Sequence, residues 1–201
     1  MTKEKMKKAS AALIVVAFVL GLIIGYFANG ITKTETVYQF EEGQNILKNS
    51  GFEDEIEDNP AYWFKAYIAA ENLTMTWDDE ISHNGSKSVH IENTHIYDES
   101  VSNNWAQTIN LIPLDRTVEL TGWVKTIEAE SVVMVIQCWN ENREMVAFGT
   151  TQTTTNITGT TDWTMYTASV NIPKDTESII VRLALTGTGQ VWFDDVSLEV
   201  I

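Results

Sequence analysis

From residue 45 to the end of the chain, apolar residues recur with a period close to two. Val118, Leu120, Gly122 and Val124 alternate with Glu119, Thr121, Trp123 and Lys125. Tyr166, Ala168, Val170 and Ile172 form a second such run, Ile179, Val181, Leu183 and Leu185 a third, and Val89 with Ile91 a shorter one. Successive side chains of a strand point to opposite faces, so each run has one face to bury and one to leave open. Turn-forming clusters separate the runs: Asn84-Gly85, Asp115-Arg116, and residues 140–142, 173–175 and 187–189. No convincing helical repeat interrupts them. Short strands at this spacing predict an all-β domain, a jelly-roll β-sandwich of about eight to ten strands. The threonine-rich run 150–161 reads as a strand and an exposed loop.

A different pattern precedes this domain. Residues 9–28 form an uncharged run of 20 positions, behind Lys3, Lys5, Lys7 and Lys8. At about 1.5 Å per residue, a helix of that length crosses a hydrocarbon core of about 30 Å. Basic residues flanking a span stay on the cytoplasmic side. The sequence thus predicts a cytoplasmic basic segment (1–8), a single transmembrane helix (9–28), a short polar tether (29–44) and an extracytoplasmic domain (45–201) at the cell membrane. A cleaved signal peptide is disfavoured, because a cut after Ala28 would place the bulky Tyr26 at position −3. A pilin-like leader lacks the acidic residue expected early in the apolar run.

Charge narrows the partners. Four of the 13 lysines and arginines, but only one of the 28 acidic residues, precede the apolar run, which leaves 9 basic against 27 acidic residues, a net charge of −18. Such a surface repels nucleic acid and anionic lipid and suits neutral ligands such as sugars, or cations. The one cysteine, Cys138, excludes an internal disulfide and falls on the apolar side of its strand with Met134 and Ile136, as a buried thiol does. Nothing organises a catalytic site. His83, His90 and His95 lack metal-ligand spacing, and His90 reads as an exposed strand residue. Alternation sends the neighbours Asp194 and Asp195 to opposite faces, so they do not form a glycosidase pair. The chain reads as a non-enzyme. Asn72, Asn84 and Asn156 each begin a glycosylation sequon.

An ordered set of short phrases adds a resemblance. Asn45 to Glu53 read NILKNSGFE, and Trp63 follows. Gly85-Ser86-Lys87-Ser88-Val89, Gln107 to Leu111, Leu120 to Lys125, Trp163 to Thr167 and Phe193-Asp194-Asp195-Val196 come next, in that order. The set resembles the CenC-like carbohydrate-binding modules, jelly rolls of the family 4, 9 and 22 type, and covers residues 45–201. The resemblance implies a structural calcium held by Glu53, a carbonyl at or near Lys87, and Asp194; oxygen ligands of this kind suit that ion. It also implies that Trp163 is structural, and it sets Trp192 beside the calcium.

For a ligand surface, Trp123 lies on the polar side of its strand, and Gln137 and Trp139 lie opposite the apolar side of theirs. If the two strands pair, both tryptophans share an exposed face, which Trp105 and Arg182 could join. Rings stack on sugar C–H faces while amides bond hydroxyls. Val133 and Val135 point the same way and leave open a strand buried on both sides. Two functions follow: binding of a polysaccharide or glycan, or a structural role in a surface assembly with protein partners.

Overall fold

The computed structural model describes residues 21–28 and 31–201. It divides into two units, residues 1–40 and 41–201. In the first unit, β1 (Gly21–Ala28) pairs antiparallel with β2 (Ile31–Tyr38). This corrects the expected helix over the last eight residues of the 9–28 span, and β2 lies within residues 29–44, read from the sequence as a short polar tether. Ile23, Ile24, Tyr26 and Phe27 are β-branched or aromatic residues that suit strands, while Gly21 and Gly25 each weaken a helix by roughly 0.5–1 kcal/mol. Residues 9–20 of the span lie outside the described residues. No helix among the described residues is long and apolar enough to cross a membrane.

The second unit is all-β, as the alternation predicts. A two-residue ladder of β3 (Glu55–Ile56) and β4 (Asn59–Pro60) stands apart from the main sheets. The remaining strands are β5 (Phe64–Ala66), β6 (Leu73–Asp78), β7 (Ser88–Asn93), β8 (Ser102–Ile109), β9 (Thr117–Trp139), β10 (Met145–Thr150), β11 (Ile157–Asn171), β12 (Ser178–Thr186) and β13 (Gly189–Val200). All pairings are antiparallel.

The organising element is β9, 23 residues long. On one edge it pairs with β13 up to Ile127 and with β12 from Ser131; on the other it pairs with β11 up to Val132 and with β10 from Val135. The change of partners falls at Glu128, whose φ is +49°. The first half of β9 thus belongs to a sheet ordered β6-β7-β13-β9-β11, and the second half to one ordered β5-β8-β12-β9-β10. The two halves face each other across the core: a Cβ added to Gly122 would lie 2.9 Å from Met134 Sδ. Leu120, Val124, Met134, Ile136, Leu183 and Phe193 fill the space between the sheets and are fully buried. Cys138 joins them, and burial pushes its thiol up to about 11, so it packs as an inert apolar side chain.

The opening and closing phrases of the domain are stitched together. Ile46 N donates to Leu198 O (2.9 Å) and Val196 N to Ser50 O (2.9 Å), while the Asn45 side chain accepts from Leu198 N (3.0 Å).

Candidate functional site

The second sheet carries a polar cluster on its outer face. Leu183 of β12 is fully buried on the inner face, so alternation turns Arg182 and Ala184 outward. Arg182 lies opposite Ala106 of β8 on one side and Val135 of β9 on the other. Its Nε donates to Gln137 Oε1 (2.9 Å) and its Nη1 to Asn104 Oδ1 (2.8 Å). Asn104 in turn donates to the Ala66 carbonyl (3.1 Å). Side chains of three strands are thereby tied to each other and to β5, over a floor of buried Ala106 and Ala184. Burial holds the Arg182 guanidinium below its usual pKa.

Aromatic rings flank this cluster. Phe64 on β5 stands opposite Ala106 and is 46% exposed; Phe148 on β10 stands opposite Gln137 and is 59% exposed. Four gaps between strands separate them, about 19 Å at the usual spacing. Trp139 shares this face two residues beyond Gln137; it is half-buried, and its Nε1 is enclosed with no partner among the described residues. The structure therefore brings together Arg182, Gln137 and Trp139 of the expected ligand residues, and adds Asn104, Phe64 and Phe148. Asn104 faces outward because Trp105 beside it faces the core, the reverse of the expectation for Trp105. The two phenylalanines carried no signal, because their places depend on which strands pair.

Two expected ligand residues lie elsewhere. Trp105 pairs with Leu183, so it faces the core; it is fully buried and its Nε1 donates to His90 O (3.2 Å). Trp123 does not share a face with Trp139. The bend at Glu128 puts the two in different sheets, whose outer faces look away from each other. One face of the Trp123 ring is covered by His83, stacked at 3.9 Å and 13°, with Trp163 edge-on to the same imidazole at 5.7 Å. His90 also departs from expectation: it is buried and stacked on Trp192 at 4.2 Å.

The loop of residues 79–87 is clasped by two carboxylates. Asp194 Oδ2 accepts from His83 N (2.7 Å) and Asn84 N (3.1 Å). Glu53 Oε1 accepts from Ser86 N (2.7 Å) and Lys87 N (2.9 Å), and Oε2 from Ser86 Oγ (2.7 Å). Gly85 is required between them: its φ is +65°, and a Cβ there would run into Glu53 Oε1 and displace the carboxylate. Asp195 does not turn away from Asp194 as simple alternation demands. Its φ is +45°, the register shifts between Asp194 and Ser197, and its Oδ2 reaches His83 Nδ1 at 2.7 Å. Burial pushes the Asp194 carboxyl above its usual range, against the N–H groups of Asn84, Asp195 and His83. Burial also acts to raise Glu53, but the bonds from Ser86 and Lys87 outweigh it and hold that carboxyl below its usual range.

The three residues expected to hold calcium thus meet at this loop, joined by hydrogen bonds. Lys87 offers its N–H to Glu53, and N–H donors point at both carboxylates. No group of three or more His, Cys, Asp or Glu side chains is placed to hold a metal among the described residues. As arranged, the donor set does not fit a calcium cage.

Comparison with solved structures places this architecture. The fold is that of carbohydrate-binding modules. The family 22 xylan-binding domain of Paenibacillus barcinonensis superposes with a TM-score of 0.58 at 11% identity, covering 81% of this chain and 98% of that domain. A family 61 module in complex with β-1,4-galactotriose gives 0.50 at 17% identity, covering 79% and 99%. The enzymatically active domain of bacteriophage CBA120 tailspike protein 4 gives 0.62 at 16% identity; it covers 78% of this chain, which spans only 21% of the tailspike chain. At these identities the likeness is one of fold, and the neighbours include catalytic proteins as well as binding modules. No protein-family model matches the sequence. No curated protein matches it.

Proposed function

We propose that residues 41–201 form a non-catalytic saccharide-binding module whose ligand surface is the outer face of the second sheet. One observation carries the reading: Arg182 holds Gln137 and Asn104 in fixed orientation midway between two exposed phenylalanine rings. Sugars present apolar C–H faces and hydroxyl edges. Rings stack on the former, and fixed amide and guanidinium groups bond the latter without ordering cost at binding. The shared fold with xylan- and galactotriose-binding modules supports the same reading. The test is retention of the full chain on a polysaccharide panel. Gln137→Ala and Phe148→Ala are expected to weaken retention about tenfold each, with Trp123→Ala unchanged. Loss with Trp123→Ala alone moves the site to the first sheet. No retention by the folded chain replaces this reading with a protein-contact role in a surface assembly.

Placement at a membrane, with the module outside, belongs to the same proposal. The four lysines ahead of the uncharged run 9–28 support it. The full chain expressed in cells is expected to stay with the membrane fraction after alkaline washing, with residues 41–201 open to external protease. Recovery in the wash overturns the anchoring.

A further inference from the structure

We propose that the saccharide seated on this face carries a carboxylate: a uronic acid residue that completes Arg182. The inference rests on the saccharide reading above and names its substrate class. It starts from a charge imbalance. The ion pairs among the described residues are His83–Asp195, Lys87–Asp79, Lys125–Asp162 and Lys174–Asp115, none of which involves Arg182. The outward positions of the five strands also hold no acid. They are Phe64 and Ala66; Ser102, Asn104, Ala106 and Thr108; Ser178, Ile180, Arg182, Ala184 and Thr186; Ser131, Val133, Val135, Gln137 and Trp139; and Met145, Phe148 and Thr150. In a chain with 28 acidic residues, these strand positions are neutral apart from one guanidinium.

That guanidinium is half-buried, and its only acceptors among the described residues are two neutral amide oxygens. A charge withdrawn from water among neutral groups is costly until a counter-charge meets it. Of the five N–H donors of an arginine, Nε and one on Nη1 are committed among the described residues; one on Nη1 and two on Nη2 remain, and one from each nitrogen makes the end-on fork that meets a ligand. A planar carboxylate fits such a fork through paired, charge-assisted bonds, whereas a hydroxyl uses one donor and leaves the charge uncompensated. Gln137 Nε2 has no partner among the described residues and lies beside the fork, free for a neighbouring hydroxyl.

The negative charge of the whole domain does not oppose this. Repulsion of an anionic polymer acts at long range and is screened beyond about 8 Å at physiological ionic strength, while a contact pair in a partly desolvated site is screened far less. The same surface charge discourages anionic polymers that bind without reaching Arg182.

The experiment compares retention of the full chain on polygalacturonate and on alginate with retention on the carboxyl-reduced, neutral form of each polymer, at about 0.15 M salt. The expected result is at least about tenfold tighter binding to the uronate form, with the ratio falling towards one in Arg182→Gln. The polymer comparison uses the unaltered chain, so it does not depend on the variant folding. Equal binding to both forms overturns the uronate inference and leaves the saccharide reading standing. A preference that survives Arg182→Gln also overturns it. No binding to any neutral or uronate polymer, by a chain folded by circular dichroism, overturns both.

Discussion

Trp105→Ala is expected to destabilise the domain by about 3–5 kcal/mol, the usual cost of truncating a fully buried tryptophan. The indole sits on the inner face opposite Leu183 with no solvent exposure, and its Nε1 supplies a donor to the His90 carbonyl. Removing it opens a cavity and leaves that carbonyl without its partner, so the two losses add. A domain of this size has roughly 5–15 kcal/mol in total. Thermal unfolding should therefore move down by about 10 °C or more. Trp105→Phe should cost less, because most of the apolar volume stays. Phe148→Ala, at an exposed position, should shift the midpoint by no more than about 0.5 kcal/mol. This contrast separates the two aromatic classes: Trp105 acts on stability, Phe148 on retention. If Trp105→Ala melts like the parent yet no longer holds glycan, the inner-face placement is wrong and Trp105 belongs to the ligand surface.

The period-two alternation made the sandwich legible, because a side chain's face on its own strand is a local property. It placed Val118, Leu120, Met134, Ile136 and Cys138 inward, and the structure agrees. The candidate site needed more: which strands pair, and where one strand changes sheets. Residues 117–127 and 131–139 look like two strands that pair, which would set Trp123 beside Trp139. They are one strand bent at Glu128, and nothing in the residue types marks a positive φ at a glutamate. Alternation also failed at Asp194-Asp195, where a bulge turns both carboxylates to one loop. Trp105 was misplaced for a simpler reason: Asn103-Asn104-Trp105 and the following Gln107 look polar around a tryptophan, and only the pairing with Leu183 reveals which side is the core. The outward placement of Arg182 and Gln137 was legible because both alternate with strongly apolar runs, and their bond joins the two neighbouring strands.

Asp194→Ala is expected to cost about 2–4 kcal/mol, less than the tryptophan but through a different route. The substitution strips acceptors from the N–H groups of His83, Asn84 and Asp195, each worth about 1–3 kcal/mol when left unpaired and buried, and water relieves part of this at the exposed Asn84. Acid separates the two halves of the clasp by sign. The Asp194 carboxyl titrates above its ordinary 3.8, so its contribution is fully present below that value and is lost as pH rises through the folded pKa. Glu53 titrates below its ordinary 4.5, so its contribution is present above that value and is lost as pH falls through the folded pKa. The deficit of Glu53→Gln against the parent should therefore shrink on acidification, while that of Asp194→Asn should grow. Denaturant melts at pH 7 and near pH 3.5 read both, and deficits that move in the same direction sink this assignment. Calcium supplies the last discriminator. With N–H groups facing both carboxylates, a chelator should leave the midpoint unchanged. A rise of several degrees on adding calcium would mean that the loop turns its carbonyls inward around the ion, and the hydrogen-bonded clasp would then be the wrong description of how the two ends of the domain are held.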